Sequence, residues 1–110
     1  MKEEIQVILN PILEFHRGGV GRAALNGSTI AAAFDLGLGL SLFLTDLKAK
    51  VGSGVARMEI KYKKPVDGNL AIFKCKVLEV KKNLIYTEGF LFDQENQICS
   101  IGKATLFVKS

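Results

Sequence analysis

The chain has no tryptophan, one histidine, two prolines and two cysteines among its 110 residues. Two cysteines cannot build a disulfide framework. Without a Cys/His cluster at ligand spacing there is no metal-binding motif, and none is expected. No repeat, linker or low-complexity tract divides the chain, so a single domain over residues 1–110 is expected. Neither sign of charge dominates: 15 Lys and Arg stand against 11 Asp and Glu, for a net charge of +4. The lysines are scattered, and there is no arginine-rich arm or nucleic-acid module. No nucleic-acid partner is therefore expected, and an anionic small ligand accounts for the charge equally well. The opening Met1-Lys2-Glu3-Glu4 is too acidic for the start of a signal peptide. The longest apolar run, Thr29 to Leu44, has 16 residues with Asp35 near its middle. A bilayer span wants about 20 residues and penalises a central Asp by roughly 3 kcal/mol. No membrane span is expected, and the expected compartment is the cytoplasm, with both thiols reduced.

Apolar content and its patterning are what the chain does have. Hydrophobic residues make up 48% and charged residues 24%, a globular composition. A domain this small buries only about 60–65% of its unfolded surface, so association with further copies would help it. Residues 3–9 suit a short helix ended by Asn10-Pro11, because the residue before proline avoids the helical region. Gly18, Gly19 and Gly21 interrupt the next segment, and a short strand near 20–25 fits there. Asn26-Gly27-Ser28-Thr29 then supplies capping residues for a run that is rich in Ala and Leu and apolar on every face. Such a helix, ending near 45–47, must be enclosed by other structure. From there the period changes to two. Ala56, Met58, Ile60 and Tyr62 alternate with Arg57, Glu59, Lys61 and Lys63, and Ala71, Phe73, Cys75 and Val77 alternate with Lys74 and Lys76. Turns over 65–69, 81–83 and 93–97 separate these strands from two more, over 84–92 and 98–108, predicting an antiparallel meander. One long central helix ahead of a bent antiparallel sheet that must wrap it predicts an α+β domain of hotdog type.

Asn26-Gly27-Ser28, six residues, then Asp35 resembles the helix start of the hotdog acyl-CoA thioesterases of the PaaI-like group. Those usually read His-Gly-Gly, six residues, Asp. Glu59-Ile60-Lys61-Tyr62-Lys63-Lys64-Pro65 resembles the family's strand ending in Tyr-x-x-Pro. The segment from Lys82 to Thr87 is similar to the hairpin and strand where the family holds coenzyme A, and Ile101 to Phe107 resembles its closing strand. The resemblance covers roughly residues 20–108. It departs at Asn26, which replaces the His, at Ser28, which replaces the second Gly, and near Val55, where some members carry a polar Ser. It implies an acyl-CoA ligand, no cofactor beyond coenzyme A as part of the substrate, and a homodimer, with homodimer and homotetramer (a dimer of dimers) both left open.

Several residues then carry candidate roles. Asp35 is a carboxylate in an apolar helix, which is costly without a partner such as Arg57 or exposure to solvent. In a thioesterase it is the nucleophile or the general base, and a thiolate leaving group needs no strong acid. Asn26 and Gly27 are a plain cap and its neighbour. Alternatively they are the place where first-turn N–H groups and the helix dipole polarise a thioester carbonyl, with Asn26 orienting it. Gly27 and Asp35 stand about 12 Å apart along one helix, whereas attack requires about 3–3.5 Å. If both act, they belong to different subunits of a two-fold dimer. Ser28 and the hairpin residues Lys81, Lys82 and Asn83 are the expected coenzyme A contacts, against the alternative of a solvated turn. Gly37 and Gly39 suit close packing, His16 reads as a loop residue, and Cys75 and Cys99 read as core. A thioesterase leads the functional readings. The second is a non-catalytic acyl-CoA or acyl-carrier binding module, with a dehydratase and a purely structural dimer behind them.

Overall fold

The computed structural model describes residues 3–13, 16–17, 25–48 and 53–109. Five strands, β1 (Ile5–Leu9), β2 (Gly54–Tyr62), β3 (Ala71–Lys81), β4 (Leu84–Asp93) and β5 (Ile98–Phe107), form one antiparallel sheet in the order β1-β3-β4-β5-β2. Helix α1 (Gly27–Leu40) and a 3-10 turn (Ser41–Leu44) lie on one face of it. Register shifts at Val55/Arg57, Val77/Glu79 and Leu91/Phe92 bend and twist the strands around the helix. This is the hotdog arrangement.

The core explains the register. Phe73, Cys75, Ile85, Leu91, Ala104 and Leu106 point inward from the three central strands and are buried. From the helix, Ile30, Ala33, Phe34 and Leu38 meet them. Phe34 is fully buried and packs edge-on against Phe73, with ring centroids 5.1 Å apart. A Cβ at Gly102 would lie 2.8 Å from the Phe34 ring, so that strand position must stay bare. Gly37 does the same on the helix, where a Cβ would lie 2.7 Å from Cys75 Sγ. The packing reading of Gly37 is correct, and both cysteines are buried on strands.

Four expectations change. The segment 3–9 holds strand β1 (Ile5–Leu9) rather than a helix, because Ile5, Val7 and Leu9 alternate with exposed neighbours and pair with β3. The meander holds for β3, β4 and β5 only. β2 crosses to the far side of β5, so residues 63–70 form a crossover and not a hairpin turn. The helical run loses its α pitch at Ser41, whose hydroxyl donates to the Gly37 carbonyl at 3.1 Å. Finally, the helix is not enclosed all round: Ala32, Asp35 and Leu36 are exposed. The strand expected near 20–25 lies largely outside the described residues, where only Leu25 is seen, bridged to Arg17. By length and a mean hydropathy of 1.5, the stretch Gly27–Leu44 passes as a membrane-spanning helix, yet its inner face is part of the core just described.

Candidate active site

The helix start is built by its cap. Asn26 has extended backbone angles, φ −75° and ψ 154°, and its side-chain oxygen accepts from the Thr29 N–H at 2.7 Å. The same oxygen accepts from the Ser28 hydroxyl at 2.8 Å, while the Asn26 amide donates to the Arg17 carbonyl at 3.2 Å. The Asn26 N–H donates to the His16 carbonyl at 2.7 Å. Arg17 in turn donates to the Gly68 carbonyl at 3.1 Å and Asn69 Oδ1 at 3.0 Å, tying this corner to the crossover. Asn26 is thus a full N-cap, and its side-chain oxygen serves Thr29 and Ser28.

Gly27 is the open point. A Cβ there would meet nothing within 4 Å, and the backbone is not left-handed. Neither packing nor conformation requires glycine at this position. What its bareness leaves is access to the first turn, where the N–H groups and the positive end of the helix dipole meet solvent. Sequence reasoning passed over Tyr62, whose hydroxyl donates to the Gly27 carbonyl at 3.5 Å from the end of β2. Its place in the alternation suggested a core-facing residue, but its side chain is 55% exposed beside the helix start. The approach of His16 to Asn26 had no sequence signal, since it depends on the bridge between Arg17 and Leu25.

Asp35 lies on the outward side of α1. At about 100° per residue, Ser28, Ala32, Asp35 and Gly39 fall on one stripe. Ser28, Ala32 and Asp35 are exposed on it, and Leu36 flanks it at 53% exposure. Arg57 does not neutralise Asp35: it sits across from Thr105 on the far face of the sheet, in a cleft with Tyr86 and Lys103. Gly27 and Asp35 are thus two turns apart on a single helix, and one chain does not bring them together.

The basic hairpin is at the opposite end of the helix. Lys81 and Leu84 close a two-residue turn of Lys82 and Asn83, with Lys82 left-handed at φ 57°. The Asn83 carbonyl accepts from the Val108 N–H at 2.8 Å, and both turn side chains are exposed. Val80 leads into this turn and lines a cleft with Leu44, Thr45 and Leu47 beyond the helix. Neither thiol joins the site. Burial, reinforced by Glu4, pushes Cys75 up to about 12. Burial also pushes Cys99 up to about 11, so both are inert as nucleophiles at neutral pH.

The comparisons agree with this architecture. A protein from Streptococcus mutans bound to acetyl CoA superposes with a TM-score of 0.83 at 15% identity, over 97% of this chain and 82% of the other. A thioesterase from Haemophilus influenzae gives 0.80 at 15% identity, over 100% and 74%. The Escherichia coli PaaI protein from the phenylacetic acid degradation operon gives 0.82 at 9%, over 97% and 73%. At these identities the likeness is one of fold. No curated protein matches the chain. The family model of the thioesterase superfamily matches residues 23–100, from just before the capped helix start to the beginning of β5, and the chain belongs to that superfamily.

Proposed function

We propose that the protein is an acyl-CoA thioesterase whose site is shared between two chains. The observation that carries this is the bare Gly27 at a capped, solvent-facing helix start. β2 is an edge strand of nine residues, against five in the opposite edge strand β1, so it offers the longer row of unpaired backbone groups. α1 and β2 run antiparallel: Tyr62 reaches Gly27 at one end, and a Cβ at Gly39 would lie 3.7 Å from Val55 at the other. Antiparallel self-pairing of β2 about Met58 sets Gly54 of one chain opposite Tyr62 of the next. It therefore brings the C-terminal half of the partner helix alongside this chain's Gly27. Asp35 is one turn before Gly39 in that half. The partner's hairpin, Lys81 to Asn83, comes to the same end.

In this site the Gly27 and Ser28 N–H groups polarise the thioester carbonyl, with Asn26 holding the turn in place. The partner subunit's Asp35 takes a proton from water as the oxygen attacks the carbonyl carbon, or attacks it directly. The carbon–sulfur bond then breaks, and coenzyme A leaves as a thiolate that regains a proton from the protonated Asp35 or, on the direct route, from solvent. On that route the acyl group stays on Asp35 as a mixed anhydride, which water hydrolyses to the free acid and the carboxylate. Lys81, Lys82 and Asn83 hold the coenzyme A phosphates. An acyl-CoA substrate of this kind goes with a cytoplasmic enzyme. One observation favours the non-catalytic binding alternative: the side-chain oxygen of Asn26, which stands at the family's usual His, is taken up by capping. A panel of acyl-CoAs, with released thiol as the readout, separates the two. Turnover supports the enzyme, and tight binding without turnover supports the binding module.

A further inference from the structure

Three hydroxyls are buried among the described residues, and the fold accounts for two of them. Ser41 donates to the Gly37 carbonyl at 3.1 Å, and Thr87 donates to the Ala104 carbonyl at 3.0 Å. Ser100 is just as fully enclosed, yet its Oγ is the one buried side-chain oxygen among the described residues without a hydrogen-bond partner. A hydroxyl taken out of water and left unpaired destabilises the fold, so it points to a partner that a single chain does not supply. Ser100 faces the helix. A Cβ at Gly89 or Gly102 would meet the Phe34 ring, and Leu91 and Ser100 are the next inward positions on the same two strands. Paired residues run Tyr62, Ser100, Leu91, Phe73 and Val7 across the sheet. Tyr62 and Ser100 are thus a polar pair in an otherwise apolar row, with Cα atoms about 4.5–5.5 Å apart. Tyr62 is half-exposed and Leu91 fully buried, so the way to Ser100 along the row is from the Tyr62 side. The Tyr62 hydroxyl stands 3.5 Å from the Gly27 carbonyl. An O–H···O bond is usually about 2.7–2.8 Å, so this contact is slack and is given up at little cost.

We propose that Tyr62 and Ser100 are specificity-determining residues that take a hydroxyl carried on the acyl group, so that the substrates are short 3-hydroxyacyl-CoAs. The inference rests on the thioesterase reading above, in which the Gly27 N–H holds the thioester carbonyl. The Tyr62 phenol lies beside the carbonyl of that same residue, so the acyl carbons next to the thioester pass this pair. A hydroxyl on the third acyl carbon both donates and accepts, as do the two protein hydroxyls. On binding, Tyr62 exchanges the Gly27 carbonyl for the substrate, and Ser100 gains the partner it lacks in the single chain. A plain acyl chain in the same place covers Ser100 and leaves it unpaired, and a buried polar group without its partner is how a site rejects an analogue that lacks one hydroxyl. Beyond Ser100 the row is closed by Leu91 and Phe73, both fully buried, so the acyl group is a short one.

Measuring kcat/KM for racemic 3-hydroxybutyryl-CoA and for butyryl-CoA, with Tm recorded alongside, tests this. The wild type is expected to prefer the hydroxyacyl substrate at least about tenfold, the scale of one hydrogen bond to a buried partner. Ser100→Ala removes an unpaired hydroxyl, so it is expected to keep or raise Tm while the preference is lost. Tyr62→Phe, at a half-exposed position, is expected to lower the preference with Tm unmoved. Equal use of both substrates by the wild type, or a preference that survives Ser100→Ala, would overturn the proposal and leave the thioesterase standing. A loss shared equally by both substrates in Ser100→Ala would make Ser100 a packing residue and overturn it as well. If neither substrate turns over, the thioesterase reading falls, and calorimetric titration with the same two compounds decides the rest. Tighter binding of 3-hydroxybutyryl-CoA that Ser100→Ala abolishes would then support the pair as a hydroxyacyl site, while equal Kd values would remove it.

Discussion

In the proposed site, Gly27 and Asp35 are the single residues at which function and stability are expected to separate. Nothing surrounds the position of a Cβ at Gly27, and alanine favours a helix over glycine by about 1 kcal/mol. Gly27→Ala is therefore expected to keep or raise Tm while hydrolysis falls, because the methyl group occupies the space the carbonyl needs. Unchanged turnover in that variant would remove the helix start from the site. Asp35 is exposed in the single chain. Asp35→Asn is expected to lower turnover at least about 10²-fold, the scale of a positioned base, with an unaltered circular dichroism melt. Phe34 behaves in the opposite way: it is fully buried beneath Gly89 and Gly102. Phe34→Ala is expected to cost about 3–5 kcal/mol in a denaturant titration.

The two turns that join β3 to β4 and β4 to β5 are built differently. At the second turn, Asp93 Oδ1 accepts from the Glu95 and Gln97 N–H groups, both at 2.9 Å. The Gln97 N–H contributes most to holding this carboxyl below its ordinary value of 3.8. A depressed folded-state value means the contribution is full above about 3.8 and is lost as pH falls through the folded value. Asp93→Ala is expected to lower Tm by a few degrees at neutral pH, and the gap from wild type should close in strongly acidic buffer. At the first turn, Lys82 is exposed and left-handed. Its expected role is screened attraction to phosphate. Lys82→Glu is therefore expected to weaken acyl-CoA binding more at low salt than at high salt, with the rate of the chemical step nearly unchanged. Equal affinities at low ionic strength would place the phosphates elsewhere.

For the whole molecule, the question is whether one chain holds a complete site. The two chemical groups are separated by about 12 Å of helix, and the strand beside them is an edge. Mixing Asp35→Asn chains with Gly27→Val chains tests the shared site directly. Each mixed dimer carries one site with both groups intact. Random exchange is therefore expected to restore about a quarter of wild-type activity from two inactive parents. Activity that stays at the level of the parents would show that each site is built within one chain.

Local sequence determined the elements whose signals are short-range. Asn26 capped where its side chain predicts, the two-residue periodicity located four of the strands, and Gly37 fell where the packing argument placed it. The order of residues around Asn26, Gly27 and Asp35 also carried the resemblance to the family. Tertiary structure decided the rest, because it turns on which surface each segment finds. Residues 3–9 have apolar positions that suit a short helix or a strand, and the open edge of β3 selected the strand. The crossover that carries β2 past two strands to β5 has no local signature, since turn residues close a hairpin and a crossover alike. The apolar neighbours of Asp35 left burial with a partner and exposure to solvent both open. A helix laid on a single sheet face leaves one stripe uncovered, and Asp35 is on that stripe.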